Sequence, residues 1–361
     1  MVAPRVAEVR LEPSPVSPIP FESAARQVCG ARTATAAAYA RNVPAFDKPA
    51  FAYHYKVGSQ IAALLNYEAT KPKRAIPPRT NTRHRVATWN IANLGLQERR
   101  AKDYQLLAEL VSWFDLVGVQ EVNDNLHGLR EVLRFLPASY AMLFSDKAGN
   151  DERMAFIYDS NRVGLSNKVG EIAVPPRWKY VIRVPGSQQK FRGFDRNPYL
   201  AAFQFGNLNA AVVNVHLYYG KNTPHDRNRR FMETLATARW ADLRRQSDNA
   251  FTDNIMMMGD FNLEKVGWGD PMWEILGKKG LFLAPHSTYV GGSNIKDDRP
   301  YDQVAFFPGP IADRLVASGV FDFDGAIFAH LRKTRGQKDF EAYLRYYMSD
   351  HRPLWVVLDT T

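Results

Sequence analysis

Between residues 85 and 358 the chain alternates two textures. Short runs of consecutive apolar, β-branched and aromatic residues mark buried strands, and stretches with apolar residues every three or four positions mark amphipathic helices. Strands are predicted at residues 85–91 (RVATWNI), 115–122 (DLVGVQEV), 141–144, 154–158, 199–205, 210–217, 255–258, 303–307 and 354–358. Helices are predicted through Gln105, Leu106, Leu107, Leu110 and Val111, over 126–136, and from Thr223-Pro224 to about residue 245. In the last of these, Thr suits the N-cap and Pro the first helical position. Several strands follow one another without an intervening helix, which predicts an α/β chain of packed sheets flanked by helices and argues against a simple doubly wound sheet. No internal repeat is visible.

The first 80 residues read differently. They hold 10 of the 22 prolines and 11 Lys/Arg against 5 Asp/Glu. Proline removes backbone donors and fixes φ, so long regular elements are disfavoured there. Short helical patches are predicted at 21–41 and 56–69, the second with Ile61, Leu64 and Leu65 on one face. Residues 1–80 are therefore read as an N-terminal extension: an arm packed on the main domain, a basic clamp on a polyanion, or a disordered or targeting segment. Residues 71–85 (KPKRAIPPRTNTRHR) read as a basic linker into a domain spanning 81–361.

Composition narrows the class. The 361 residues are 45% hydrophobic and 23% charged, an ordinary globular balance, with a net charge of +10. Residues 81–361 carry only +4 of that excess, so the charge of this part supports a polyanionic partner modestly. The single cysteine, Cys29, excludes an intramolecular disulfide framework and a multi-cysteine zinc site. No run of about 18 apolar residues predicts a membrane span, and the start lacks the apolar core of a secretory signal. A soluble protein, cytoplasmic by default, is expected, with export as an effector or prior signal removal left open.

The informative feature is where polar residues fall. Asn90 and Glu121 end their strands, His216 ends AAVVNVH, and Asp260 and Asn262 follow NIMMMG. Asp302 opens DQVAFF, and Asp350-His351 precede RPLWVVL. Groups at strand mouths are rigidly held yet accessible, whereas charges buried in mid-strand would carry a heavy desolvation cost. Glu121, Asn90, Asp350, Asp260 and Asn262 are hard oxygen donors suited to Mg²⁺ or Mn²⁺. His351 and His216 suit proton transfer near neutrality. Metal, carboxylates and imidazole together fit hydrolysis of a phosphate ester. No G-x-S-x-G elbow, Walker loop or G-x-G-x-x-G fingerprint is present.

These residues fall in motifs that resemble a known superfamily. WNIANLG (89–95), VQEV (119–122), NVHL (214–217), GDFN (259–262), YDQV (301–304) and SDH (349–351) occur in the order of the endonuclease/exonuclease/phosphatase, or DNase I-like, proteins. The resemblance covers residues 84–358 and implies a four-layer αββα sandwich. It implies that Glu121 is the principal metal ligand, with Asn90 and Asp350 beside the same ion. Asp260 and Asn262 would orient the attacking water and contact the phosphate, or hold a second metal. His351, oriented by Asp302, would stabilise the phosphate or move a proton. His216 would partner Glu152, and Arg196 matches an arginine before a strand start.

The superfamily spans several phosphoesters. The strand ending NVHLYYG and the continuation GDFNLEKVG point to the DNase-like branch, which implies a largely non-specific endonuclease acting on DNA or RNA. Phosphodiesterases and phosphatases of sphingomyelin-type lipids or inositol phosphates remain the alternative, followed by a repair endonuclease and an inert binding scaffold. In residues 177–199, Arg177, Lys179, Lys190 and Arg192 are interleaved with Trp178 and other aromatics. That composition suits a nucleic-acid strand, or equally a hairpin with its aromatics inward and its charges in water. No motif reads bases.

Overall fold

In the computed structural model, which describes residues 46–361 except 287 and 289, the apolar runs pair into two six-stranded mixed sheets. The strands are β1 (Arg83–Leu94), β2 (Leu116–Asn123), β3 (Tyr140–Phe144), β4 (Glu152–Asp159), β5 (Gly164–Glu171), β6 (Tyr199–Phe205), β7 (Leu208–His216), β8 (Ile255–Asp260), β9 (Phe282–Leu283), β10 (Asp302–Phe306), β11 (Leu315–Val320) and β12 (Leu354–Asp359). The helices are α1 (Val57–Thr70), α2 (Ala101–Ser112), α3 (His127–Arg134), α4 (Pro224–Arg245), α5 (Pro271–Lys278), α6 (Pro310–Asp313) and α7 (Ala329–Tyr347). One sheet has the order β11-β12-β1-β2-β4-β3 and the other β5-β6-β7-β8-β10-β9.

Both sheets follow one plan. Each is centred on a parallel pair, β1/β2 or β7/β8, joined by a crossover helix, α2 or α4. The flanking pairs are antiparallel. The C-terminal ends of the parallel strands and the N-terminal ends of β12, β4, β10 and β6 therefore lie at one common edge of each sheet. Crevices at the carboxyl ends of parallel strands are where open α/β sheets collect ligands.

Side chains alternate across each strand, so every strand feeds two layers. Val86, Phe156, Phe203, Val212, Met256, Met258 and Phe306 fill the space between the sheets. Trp89, Val117 and Val119 pack outward against Leu107 and Leu110 of α2, Leu129 of α3 and Tyr343 of α7. Val213, Val215 and Met257 pack outward against Ala238 of α4 and Leu276 of α5. The result is a four-layer αββα sandwich. α4 begins as its residues predict, with the Thr223 side chain accepting from Asp226 N and Pro224 in the first turn.

The same alternation selects what reaches the common edge. Glu152 continues the inward row of Met154 and Phe156, and Asn90 that of Val86 and Thr88. His216 continues Val212 and Asn214, Asp260 continues Met256 and Met258, and Asp302 continues Val304 and Phe306. Just beneath them a polar bridge ties the sheets together. Gln120 Nε2 donates to Asn214 Oδ1 at 2.5 Å, and Asn214 Nδ2 donates to Val119 O at 3.1 Å and Ala155 O at 2.9 Å. Buried amides with several partners hold one register, because a slip would leave them unpaired.

Some elements depart from the sequence expectation. β5 (GLSNKVGE) is almost wholly exposed and carries no apolar alternation. α7 is rich in charge and interrupted at Gly336 (φ 83°), which hides the spacing of Leu331, Phe340, Tyr343, Leu344 and Tyr347. α1 buries Leu64 and part of Ile61, but Leu65 is 49% exposed, because it lies a further 100° round the helix. The patch at 21–41 and Cys29 lie outside the described residues. From residue 46 the chain packs on the outer face of the first sheet's helical layer, through Phe46, Phe51, Tyr53 and Tyr55. The basic stretch 71–85 is firmly tied: Arg74 donates to both Asp322 oxygens at 2.5 and 2.9 Å, and Arg79 stands 3.1 Å from Asp115.

Gly259 sits at φ 144°, and a Cβ there would lie 2.0 Å from Val215 O on the parallel partner strand. Gly259→Ala is expected to lower unfolding free energy in urea by at least about 2 kcal/mol. Gly277→Ala, in α5 with nothing within 4 Å, is expected to be neutral or stabilising by up to about 1 kcal/mol. His84, at the far end of the β1 inward row, is buried and neither ring nitrogen has a hydrogen bond. Burial lowers its pKa, so below about pH 6.5 the unfolded chain binds a proton that the folded chain does not. Stability should fall as pH drops through that window, and urea titrations of His84→Leu should show a shallower fall.

Candidate active site

Asp260 is the meeting point of the common edge. Its Oδ1 accepts from Asn262 N at 2.9 Å, in a turn that places Asn262 at φ 54°. Its Oδ2 accepts from Asn90 Nδ2 at 3.1 Å, from the opposite sheet. Two imidazoles flank the same oxygen, with His216 Nε2 at 3.7 Å and His351 Nε2 at 3.9 Å. Each imidazole is backed by a carboxylate. His351 Nδ1 meets Asp302 Oδ2 at 2.7 Å, and His216 Nδ1 lies 3.1 Å from Glu152 Oε2. Both pairs join one sheet to the other, since His351 precedes β12 and Asp302 opens β10, while Glu152 opens β4 and His216 closes β7.

Burial shapes the electrostatics of these pairs. Desolvation pulls the His351 imidazole down, but the Asp302 carboxylate, aided by Asp260 and Asp350, outweighs it and holds the pKa well above its ordinary value. His216 faces the opposite balance. Burial, with the Arg196 guanidinium, lowers it to about 4, while burial raises Glu152 to about 7. Both shifts favour the neutral forms of that pair. Arg196 is buried beside it, with Nη1 3.4 Å from Glu152 Oε2 and Nε donating to His216 O at 3.0 Å. The site thus carries one imidazole favoured as a cation and one favoured neutral.

On the other side of Asp260 stands Glu121. It occupies φ 58° at the break in the β1/β2 register, which turns its carboxylate into the edge. Its oxygens accept from Asn90 Nδ2 and Asn93 N, both at 2.9 Å. Among the described residues no lysine or arginine pairs with it, and burial together with Glu152 raises its pKa. Asn90 Oδ1 is buried without a hydrogen-bond partner. An orphaned amide oxygen beside a half-buried carboxylate that no cation pairs with is an all-oxygen donor set that suits a hard divalent cation. A second grouping, Asp260, Asp302 and His351, brings ligand atoms within 4.8 Å of one another. There Asp302 Oδ2 already accepts from Ser293 Oγ at 2.7 Å and meets His351 Nδ1, while its Oδ1 is buried without a hydrogen-bond partner.

The pattern of the Endonuclease/Exonuclease/phosphatase family matches residues 87–351. The chain belongs to this family. It is accordingly a phosphoric ester hydrolase with the family's two-sheet fold. A Deoxyribonuclease of Thioalkalivibrio sp. (strain K90mix) is 27% identical over 194 residues, covering 51% of this chain and 48% of that protein, so the match spans about half the relative's length. Among solved structures, the mannosyl-6-phosphatase of Bacteroides thetaiotaomicron is 16% identical, with 76% of this chain and 98% of that one covered and a TM-score of 0.48. The human Nocturnin catalytic domain is 14% identical, with 79% and 97% covered and a TM-score of 0.49. D. rerio TDP2 complexed with single strand DNA product is 15% identical, with 77% and 100% covered and a TM-score of 0.48.

The family motifs account for most of the edge. Asn90, Glu121, Glu152, Arg196, His216, Asp260, Asn262, Asp302 and His351 form one connected group. Asp350 adjoins it and contributes to the field at Glu121, but its carboxylate also pairs with Arg345 Nε at 3.6 Å. Arg177, Trp178, Lys179, Lys190 and Arg192 lie apart from this network. Ile182 and Phe191 anchor their segment against Met232 and Leu235 of α4, leaving Arg177, Trp178, Lys190 and Arg192 exposed. Lys179 Nζ donates to Arg192 O at 2.6 Å. Trp178 borders a cavity with Arg239 and Trp240 of the same helix.

Sequence reasoning missed the residues that brace this group. Ser349 is fully buried; its Oγ donates to Asn90 O at 2.6 Å and accepts from Ala92 N at 3.2 Å and His351 N at 3.0 Å. Its only signal was its place in SDH. Ser293 holds Asp302 from a loop with no regular spacing, donating to Oδ2 and accepting from Asp302 N at 2.9 Å. Ser349→Ala removes one donor and leaves two backbone N–H groups unpaired in a dry setting. It is expected to lower stability in urea by about 1–3 kcal/mol, with the loss visible as a reduced midpoint at unchanged slope.

Proposed function

We propose that this hydrolase is a divalent-metal-dependent phosphodiesterase, and specifically a largely non-specific endonuclease that cleaves DNA. The carrying observation is the oxygen set of the half-buried Glu121 carboxylate and the buried Asn90 Oδ1 standing beside Asp260, with His351 on the far side. Partial similarity to a Deoxyribonuclease and the exposed basic and aromatic residues 177–192 support nucleic acid as the substrate.

Glu121 and Asn90 Oδ1 would hold Mg²⁺ or Mn²⁺, with Asp350 adjoining and Asp260 and Asn262 on the opposite flank. A bound ion neutralises charge on the phosphoryl oxygens. Asp260 Oδ1 is tied to Asn262 N, and Oδ2, which also accepts from Asn90 Nδ2, would orient a water and accept its proton as that water attacks phosphorus. His351, held through Nδ1 by Asp302, presents Nε2 to a phosphoryl oxygen. His216, braced by Glu152 and Arg196, presents Nε2 from the other sheet and fixes the phosphate between the two rings. Positioning both rings before the substrate arrives avoids reorganisation during the reaction.

Supercoiled plasmid is expected to be nicked to the open circle with Mg²⁺ or Mn²⁺, and EDTA should stop the reaction. Glu121→Ala and His351→Ala should each lower the rate at least about a hundredfold. Mn²⁺ at a hundredfold excess over its dissociation constant should stabilise the wild type by about 2.7 kcal/mol, and Glu121→Ala should lose this gain. Intact plasmid and RNA alongside hydrolysis of sphingomyelin or an inositol phosphate would replace the nuclease reading.

A further inference from the structure

A notch of about 290 Å³ opens beside the Asp260 group, with Asp350 and His351 in its wall. Three cations reach it, Lys296, Arg299 and Arg345, and their charges are committed to different degrees. Arg299 Nη1 is 3.8 Å from Glu264 Oε2, but Arg230 Nη1 engages that same carboxylate more closely, at 2.7 Å from Oε1. Arg345 lays its guanidinium over the Phe46 ring, 4.2 Å from the centroid, and keeps Nε 3.6 Å from Asp350. Lys296 is exposed and, among the described residues, has no carboxylate within ion-pairing distance.

Three acids, Asp298, Glu341 and Asp350, line the notch as well, and the first two are turned onto neighbouring amides. Asp298 accepts from Asn294 Nδ2 at 2.7 Å, and Glu341 accepts from Gln337 Nε2 at 2.6 Å. Asp350 adjoins the cation set formed by Glu121 and Asn90. Tyr301 completes the wall with an aromatic face; its ring centroid is 5.8 Å from that of His351 and 5.8 Å from that of Tyr219. Cations able to contact phosphate and an aromatic ring able to stack a base, in a notch that shares His351 with the proposed catalytic group, are what a neighbouring nucleotide requires.

We propose that this notch is a nucleotide subsite, taking the unit next to the cleaved bond. Its phosphate lies on Lys296, Arg299 and Arg345, and its base stacks on Tyr301. The subsite rests on the endonuclease reading, and it assigns recognition to the 294–301 turn and the end of α7. The exposed residues 177–192 are not needed for it. Contact is with phosphate and ring faces only, so the subsite grips any sequence.

The full chain is assayed on a short single-stranded oligonucleotide and on bis(p-nitrophenyl) phosphate, which has no neighbouring nucleotide. Lys296→Glu is expected to lose about tenfold or more in kcat/KM on the oligonucleotide relative to the small diester. Its log KM against log salt should also be shallower by about 0.7. Lys338→Glu, an equal charge change on the exposed face of α7, should show neither effect to that extent. Wild-type KM and salt slope in both Lys296→Glu and Arg299→Ala would overturn the subsite while leaving the endonuclease standing. Equal losses in Lys338→Glu and Lys296→Glu would also overturn it, since only the overall field would then matter. A wild type that hydrolyses the small diester and spares the oligonucleotide would overturn both readings.

Discussion

A carboxylate sealed between two sheets must be met by hydrogen-bond donors that offset the cost of taking it out of water. Asp260 is 2% exposed and is met by Asn262 N from its own strand end and by Asn90 Nδ2 from across the interface. This contact sets the spacing of the two sheets at their upper edge, as the Gln120–Asn214 bridge does one layer below. The imidazoles of His216 and His351 are positioned by the same junction, because each is paired with an acid on the other sheet. Shifting one sheet against the other would separate both pairs and the Asn90 contact together.

The crowding of acids at this edge carries a cost. Burial, with the neighbouring Glu152 and Asp350, raises the pKa of Glu121, and burial, with Asp195 and Asp260, raises that of Glu152. Three devices offset it: the Arg196 guanidinium beside Glu152, the hydrogen bonds of Asn90 and Asn93 to Glu121, and the imidazole on Asp302. None brings a positive charge into contact with Glu121. A divalent cation would, which links the electrostatics of the fold to the proposed chemistry. Sites built this way trade stability for readiness, since the strain is held by the surrounding sandwich.

Much of this arrangement could be read from the chain. Continuous apolar runs such as NIMMMG and AAVVNVH have the signature of strands buried on both faces, and the polar residue closing each run marks where burial ends. Period-two alternation then assigns Asn90, Glu152, His216, Asp260 and Asp302 to a common inward face. What alternation could not convey was pairing across the interface. That Asp302 meets His351 and Glu152 meets His216 depends on two sheets stacking, a relation between positions far apart in the chain. β5 and α7 escaped notice because an exposed edge strand and a glycine-broken, charge-rich helix carry little hydrophobic periodicity. Ser349 and Ser293 were invisible because their importance lies in single hydrogen bonds. Leu65 was misplaced by one step of the helical wheel.

The decisive position is the space bounded by Glu121 and Asn90 Oδ1. Anomalous diffraction from crystals of the full chain grown with Mn²⁺ would locate the ion directly. A peak contacted by the Glu121 carboxylate and Asn90 Oδ1 is predicted. A peak seated instead on Asp302 and His351, or no peak at a concentration that supports turnover, would contradict the account.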